Sequence, residues 1–88
     1  MMEPAQIQAR LLEFLRQGIF SPQTVVTEET DLVANGFDSL SLVSLLQFIE
    51  KEFGLWLPEN EINEANLKNV RALAAVIARL LHERPPSP

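Results

Sequence analysis

The sequence has no cysteine, so it can form neither a disulfide bond nor a cysteine-ligated zinc site. This absence is compatible with a reducing compartment, and we expect a cytoplasmic protein. Tyrosine is also absent, and aromatic residues make up 7% of the chain, whereas hydrophobic residues make up 47%. Such an aliphatic composition favours a helical core over a β-sandwich. A length of 88 residues predicts one small domain.

The sequence also lacks long apolar runs and the groups that a catalytic serine needs. Its apolar stretches are too short to cross a bilayer, and its first residues contain neither a basic region nor an apolar signal segment. The single histidine is His82, near the end of the chain, and there is no Gly-x-Ser-x-Gly motif. No cluster of histidine and cysteine is present to bind a metal. We therefore expect no membrane span, no metal site and no catalytic activity of the chain by itself.

The net charge is −5, and most of it lies in the middle of the chain. Residues 1–37 contain five acids and two bases, residues 38–64 six acids and one base, and residues 65–88 one acid and four bases. An acidic middle third repels nucleic acid and attracts basic protein surfaces. We therefore expect protein partners and no nucleic acid, and we expect the chain itself to be a monomer.

Apolar residues recur at helical spacing and predict an all-α fold of four helices, with a long loop between helices one and two and a short third helix. Helix one is expected to begin near Pro4 and to end at about Gln17, because Gly18 follows. The loop then continues to Asp38. Four aliphatic residues are its expected anchors: Val25, Val26, Leu32 and Val33.

Helix two is expected to begin at Asp38 or Ser39, with Asp38 as its N-cap, and to continue through Phe53 to Gly54. It is apolar over more than half of its circumference, so it either lies between other elements or leaves an apolar surface for a ligand or partner. One hypothesis is therefore an unmodified helical adaptor that binds a partner through helix two. Three further elements are expected: an extended stretch over 55–58, a brief helix over 59–65, and a last helix from near Asn69 to about His82. Residues 84–88 are expected to form a disordered proline-rich tail, so that residues 1–83 make up the single domain.

The turn before helix two presents one serine, Ser39, in the sequence Asn35-Gly36-Phe37-Asp38-Ser39-Leu40. A serine after an aspartate at a helix start is also ordinary capping chemistry. A longer pattern surrounds it here: Asp31-Leu32, three residues, Gly36-Phe37-Asp38-Ser39-Leu40, and a helix that ends in Glu52-Phe53-Gly54. From about Thr30 to Leu81, this pattern resembles an acyl carrier protein of the phosphopantetheine-binding family.

The resemblance implies a four-helix bundle of the acyl-carrier type and a serine that another enzyme modifies. Ser39 would carry 4′-phosphopantetheine on its Oγ, Leu40 would belong to the same site, and Asp38 would be recognised by the phosphopantetheinyl transferase. Asp38 as a helix N-cap is equally compatible, and Gly36 permits a tight turn. The arm would supply the thiol that the chain lacks, and the protein would shuttle acyl or aminoacyl thioesters between loading and transferring enzymes.

The first turns of helix two depart from the pattern of fatty acid synthesis. That pattern places acidic residues after the serine-leucine pair, whereas this chain has Ser41, Leu42 and Ser44. The resemblance therefore implies a dedicated pathway, such as a specialised lipid, polyketide or aminoacyl pathway.

Two further groups of residues are candidates for contact with partners or cargo. Apolar residues could line a space that shelters an acyl chain, although apolar residues at helical spacing are more often plain core: Val43, Leu46, Ala74 and Ile77. Acidic residues of the middle third could dock partner enzymes, although a solvated helix face is equally compatible: Glu50, Glu52, Glu59 and Glu61. Trp56, after helix two, is either a partner contact or a packed lid.

Overall fold

The computed structural model describes residues 2–83, and in this part of the chain the fold contains helices and no strands. The three α-helices are α1, Pro4–Phe14; α2, Ser39–Phe53; and α3, Val70–Glu83. The all-α prediction is confirmed, whereas the count of four helices is not, because the remaining helical segments are single turns. The tail that was predicted to be disordered, 84–88, lies outside the described residues.

The start of α1 follows the prediction and its end does not. Pro4 is the first helical residue, and the Glu3 amide donates a hydrogen bond to Gln6 Oε1 at 2.8 Å. The expected stop at Gly18 is wrong, since a π-helical turn over Leu15–Ile19 continues the helix through that glycine. The Phe20 amide donates a hydrogen bond to the Leu15 carbonyl at 2.9 Å, and this bond closes the turn. Leu15 and Phe20 are both buried, so the wider turn allows both side chains to reach the core.

The brief helix predicted over 59–65 is also wrong. Only a 3-10 turn forms, over Glu59–Glu61, and hydrogen-bonded turns follow it. Asn63 Nδ2 donates to the Asn60 carbonyl at 3.2 Å, and Asn63 Oδ1 accepts from the Asn66 amide at 2.9 Å. Asparagine side chains that bond to nearby backbone compete with an α-helix, and here the turns prevail.

The long loop between α1 and α2 is held against the helices by its backbone. Arg16 donates to the Val26 carbonyl, from Nη2 at 2.6 Å and from Nε at 3.1 Å. The Leu32 amide donates to the Lys68 carbonyl at 3.0 Å, just before α3. Of the four expected anchors, Val26 and Leu32 are buried as predicted. Val25 and Val33 are exposed, because neighbouring residues in an extended or tightly turned segment point in different directions.

A single, mainly aliphatic core joins the helices. α1 packs against α3, and α1 contacts α2 through stacked Phe14 and Phe48 rings, whose centroids lie 4.4 Å apart, and through an ion pair between Arg10 and Glu52. No described helix has the length and apolar character needed to cross a bilayer. The fully enclosed large side chains of the described core are Ile7, Leu11, Leu15, Val26, Leu32, Leu45, Ile49, Leu57, Val70, Leu73 and Ile77.

Candidate functional site

Ser39 is the first residue of α2, and it is exposed. Two buried side chains, Leu32 and Phe37, anchor the turn that leads to it, and the Phe37 amide donates to the Leu32 carbonyl at 3.0 Å. Between these anchors, Val33–Asn35 form a 3-10 turn that faces solvent. The serine therefore stands at the surface on a turn that the core holds at both ends.

Two polar features shape this turn. Gly36 has φ 102° and ψ 12°, a left-handed conformation that glycine adopts at low cost, and its amide donates to the Val33 carbonyl at 3.1 Å. Asp31 Oδ1 accepts from the Ala34 amide at 3.0 Å, and the Asp31 carbonyl accepts from Asn35 Nδ2 at 2.8 Å. An aspartate three residues before an amide that it can cap is a recognisable sequence signal for such a turn.

Asp38 caps α2, as the sequence predicts. Its Oδ1 accepts hydrogen bonds from the Ser41 amide at 2.9 Å and from Ser41 Oγ at 3.0 Å. These bonds, led by the one from the Ser41 amide, lower the pKa of Asp38 below its ordinary value. The carboxylate is therefore ionised at neutral pH. Its recognition by a transferase stays a prediction.

The cap predicts a pH-dependent contribution to stability. A carboxyl whose pKa is lowered by folding stabilises the fold above its ordinary pKa of 3.8, and that contribution disappears as pH falls through the folded-state value. Asp38→Ala is therefore expected to lower the melting temperature at neutral pH and to converge with the wild type in acid. Circular dichroism melts from about pH 7 to about pH 2 measure this convergence. Asp38→Asn, which keeps an oxygen acceptor but cannot ionise, is the control, and a deficit of Asp38→Ala that stays constant across pH would contradict the assigned cause.

The chemistry around Ser39 suits a hydroxyl that another enzyme modifies. Within residues 2–83, no side-chain hydrogen bond of Ser39 is found, so its Oγ is not engaged elsewhere. The carboxylate beside it, Asp38, is a weak base because its pKa is lowered. The single histidine, His82, lies in the last turn of α3. An exposed, unengaged hydroxyl on a turn that the core holds at both ends fits the attachment of a prosthetic group through a phosphodiester.

Two grooves flank Ser39. The first lies between the start of α2 and the turns after residue 61, and its lining includes Phe37, Leu42 and Ile62. The second lies between the π turn at Gly18 and the first two turns of α2, where Leu40 contributes an exposed side chain. The surface around the serine thus combines apolar side chains with two nearby carboxylates, Asp38 and Glu64, both of which line the first groove.

The four acidic residues predicted to dock partners fall into two kinds. Glu50 and Glu59 are exposed. Glu52 forms the ion pair with Arg10, and Glu61 forms an ion pair with Arg79 at 2.7 Å. Glu52 and Glu61 therefore hold elements of this chain together, whereas Glu50 and Glu59 are available to a partner.

The four residues predicted to shelter an acyl chain differ in burial. Ala74 and Ile77 are fully buried in the core, Leu46 is half-buried, and Val43 is exposed. None of the four lines either groove beside Ser39. Trp56 is exposed while Leu55 and Leu57 are buried, so the extended stretch after α2 directs the indole outward.

The sequence is similar to those of known carrier proteins. A family model described as "Phosphopantetheine attachment site" matches residues 5–77. The aminoacyl carrier protein of Agrobacterium fabrum is 28% identical over 61 residues, which cover 69% of this chain and 74% of that protein. Aminoacyl carrier protein 2 of Bradyrhizobium diazoefficiens is 38% identical over 56 residues, which cover 64% of this chain and 63% of that protein. The match thus spans slightly less than two thirds of the second relative.

The fold is similar as well. The crystal structure of the Bradyrhizobium japonicum glycine:[carrier protein] ligase complexed with glycylated carrier protein contains a chain that superposes with a TM-score of 0.63. The two chains are 28% identical, and the superposition covers 82% of this chain and 95% of the other. The helices and the connecting turns therefore follow a known arrangement over most of the chain.

Proposed function

The chain belongs to the family defined by a phosphopantetheine attachment site, and on that premise we propose that it is an aminoacyl carrier protein loaded on Ser39. As a member of this family it is a carrier protein that bears 4′-phosphopantetheine and is not itself an enzyme. The attachment residue, the cargo and the partner enzymes are the proposed parts.

The observation that carries the proposal is the placement of Ser39. It stands first in α2, exposed, at the end of a turn fixed by Leu32 and Phe37. Asp38 organises the first turn of the helix through Ser41 and leaves the neighbouring Oγ unengaged. A transferase can therefore reach this hydroxyl without unfolding any element.

Three observations support an aminoacyl cargo. The related sequences are aminoacyl carrier proteins, and the similar solved structure contains a glycylated carrier protein. The start of α2 carries Ser41, Leu42 and Ser44 in place of acidic residues. In addition, the buried residues Ala74 and Ile77 fill the core, and a cargo as small as glycine has little apolar surface to bury.

The attached group supplies a thiol on a flexible tether, and the cargo is held there as a thioester. The chain keeps the attachment point rigid, so that the tether alone sets the effective concentration of cargo at each partner. Leu40, with 79% of its surface exposed, and Val43, with 52% exposed, offer apolar contacts beside Ser39. Glu50 and Glu59, which come later in the chain and are exposed, offer acidic contacts to partner enzymes.

The proposed partners are a phosphopantetheinyl transferase, an aminoacyl-loading ligase and an enzyme that accepts the aminoacyl group. We also propose that residues 1–83 form the carrier domain and that the protein works as a monomer in the cytoplasm. In the four-helix plan, segment 59–67 takes the place of the short third helix. A specialised lipid or polyketide pathway remains the alternative to an aminoacyl pathway.

The cargo is tested on the protein purified from its own cells. We expect the intact mass of the modified protein to include one amino acid, and we expect hydroxylamine to remove it, because hydroxylamine cleaves thioesters. The same treatment leaves an amide-linked group in place and so serves as the chemical control. A fatty acyl chain on the arm, with no aminoacyl form, would contradict the aminoacyl assignment and favour the lipid alternative.

A further inference from the structure

The first groove beside Ser39 has one wall that no α-helix forms. This wall consists of Ile62, Asn63, Glu64 and Leu67, which belong to the turns that follow the 3-10 turn at Glu59–Glu61. A segment without a regular backbone ladder opens locally unless specific contacts hold it. The contacts that hold these turns therefore determine the shape of the groove.

One carboxylate, that of Glu61, holds both ends of the wall. Its Oε2 accepts from Arg79 Nη2 on α3 at 2.7 Å, and its Oε1 accepts from Asn66 Nδ2 at 3.0 Å. Asn66 Nδ2 also donates to the Glu61 carbonyl at 2.8 Å. Glu61 and Asn66 directly precede Ile62 and Leu67, so this network connects the two ends of the wall to α3 through Arg79.

The network is charge-assisted. The hydrogen bond from Arg79 is the main cause that lowers the pKa of Glu61 and, in return, Glu61 raises the pKa of Arg79. The side chain of Glu61 is 17% exposed, and that of Arg79 is 47% exposed. Glu61 therefore acts as an internal contact, although its charge alone suggested an open docking residue.

We propose that Arg79 is a positioning residue for the site around Ser39: through Glu61 it holds residues 62–67 as a wall of the groove, and it thereby limits the access of water to the aminoacyl group on the arm. This inference rests on the proposed aminoacyl function. Arg79 touches neither Ser39 nor the cargo, so its effect on the site passes through the wall.

The wall itself is tested on the unmodified protein, so that this result does not depend on loading. Arg79→Met keeps the aliphatic stem and removes the donors. We expect amide hydrogen exchange of residues 62–67 to rise about two- to fivefold while exchange in α1 stays unchanged, because exposed ion pairs contribute little to global stability. Glu83→Gln is the matched control, since Glu83 contacts the same Arg79 at 3.4 Å within one helix. Arg79→Lys is expected to restore slower exchange.

The consequence for the cargo is measured as the half-life of the aminoacyl group on the loaded protein. We expect hydrolysis to be about two- to fivefold faster in Arg79→Met than in the wild type and unchanged in Glu83→Gln. Unchanged exchange in 62–67 of Arg79→Met would overturn the role of the ion pair. Faster exchange with an unchanged half-life would overturn the shielding of the cargo. A wild-type protein that accepts no arm would contradict the proposed function and with it the shielding, while the exchange result would still decide whether Arg79 holds the wall.

Discussion

Replacing Ser39 with alanine is expected to abolish modification completely. The wild-type protein, incubated with coenzyme A and a phosphopantetheinyl transferase of broad specificity, should gain one phosphopantetheinyl group in its intact mass. Ser39→Ala should gain none, because the phosphodiester forms on Ser39 Oγ. The side chain is exposed, so the variant should retain its helical circular dichroism and its cooperative unfolding.

The control for this prediction is Ser44→Ala. Ser44 is an exposed serine on the same helix, and its loss should leave the mass gain intact. An adduct that persists on Ser39→Ala would place the attachment elsewhere. A Ser39→Ala protein that loses its helical signal would instead show that the serine serves mainly to start the helix.

The second large effect, on stability, is expected at Leu32, which anchors the turn before Ser39 in the core. Its side chain is fully buried. Its amide donates a hydrogen bond to the Lys68 carbonyl, and its carbonyl accepts a hydrogen bond from the Phe37 amide. Leu32→Ala should reduce the free energy of unfolding by about 2–5 kcal/mol, the usual loss when a buried leucine is truncated. For a domain of this size that is a large share of the total stability, which urea denaturation measures. The rate of modification at Ser39 should fall with it, because the turn loses its anchor.

Val33 provides the matched control. It is the next residue in the chain and an aliphatic one, yet it is 64% exposed. Val33→Ala should change the unfolding free energy by less than about 0.5 kcal/mol. Equal losses for the two variants would mean that Leu32 does not anchor the turn as the structure indicates.

Local patterns predicted those elements whose ends carry their own signals. Asp38 and Asn69 cap α2 and α3 through bonds to amides three residues later, and Gly54 ends α2 in a left-handed conformation. Such contacts involve neighbours in sequence, so the sequence alone contains them. The prediction that Ser39 is the attachment residue also rests on a contiguous motif.

Several parts that the sequence did not predict depend on residues distant in the chain. The π turn at Leu15–Ile19 forms where the core accepts both Leu15 and Phe20. Nothing local distinguishes the buried Val26 from the exposed Val25. Glu61 pairs with Arg79, 18 residues away, so its charge alone could not reveal that it holds a groove wall. Periodicity and charge counts carry no information about these partners.

The absence of cysteine allows the central claim to be tested by one measurement, a thiol titration of the denatured protein before and after incubation with coenzyme A and the transferase. The chain has no thiol of its own, so once coenzyme A and the transferase have been removed, every thiol that remains must come from the attached arm. The account predicts a rise from none to one thiol per chain, together with the matching gain in intact mass and its loss in Ser39→Ala. A protein that stays without a thiol and keeps its original mass would contradict the carrier function and would favour an unmodified helical adaptor.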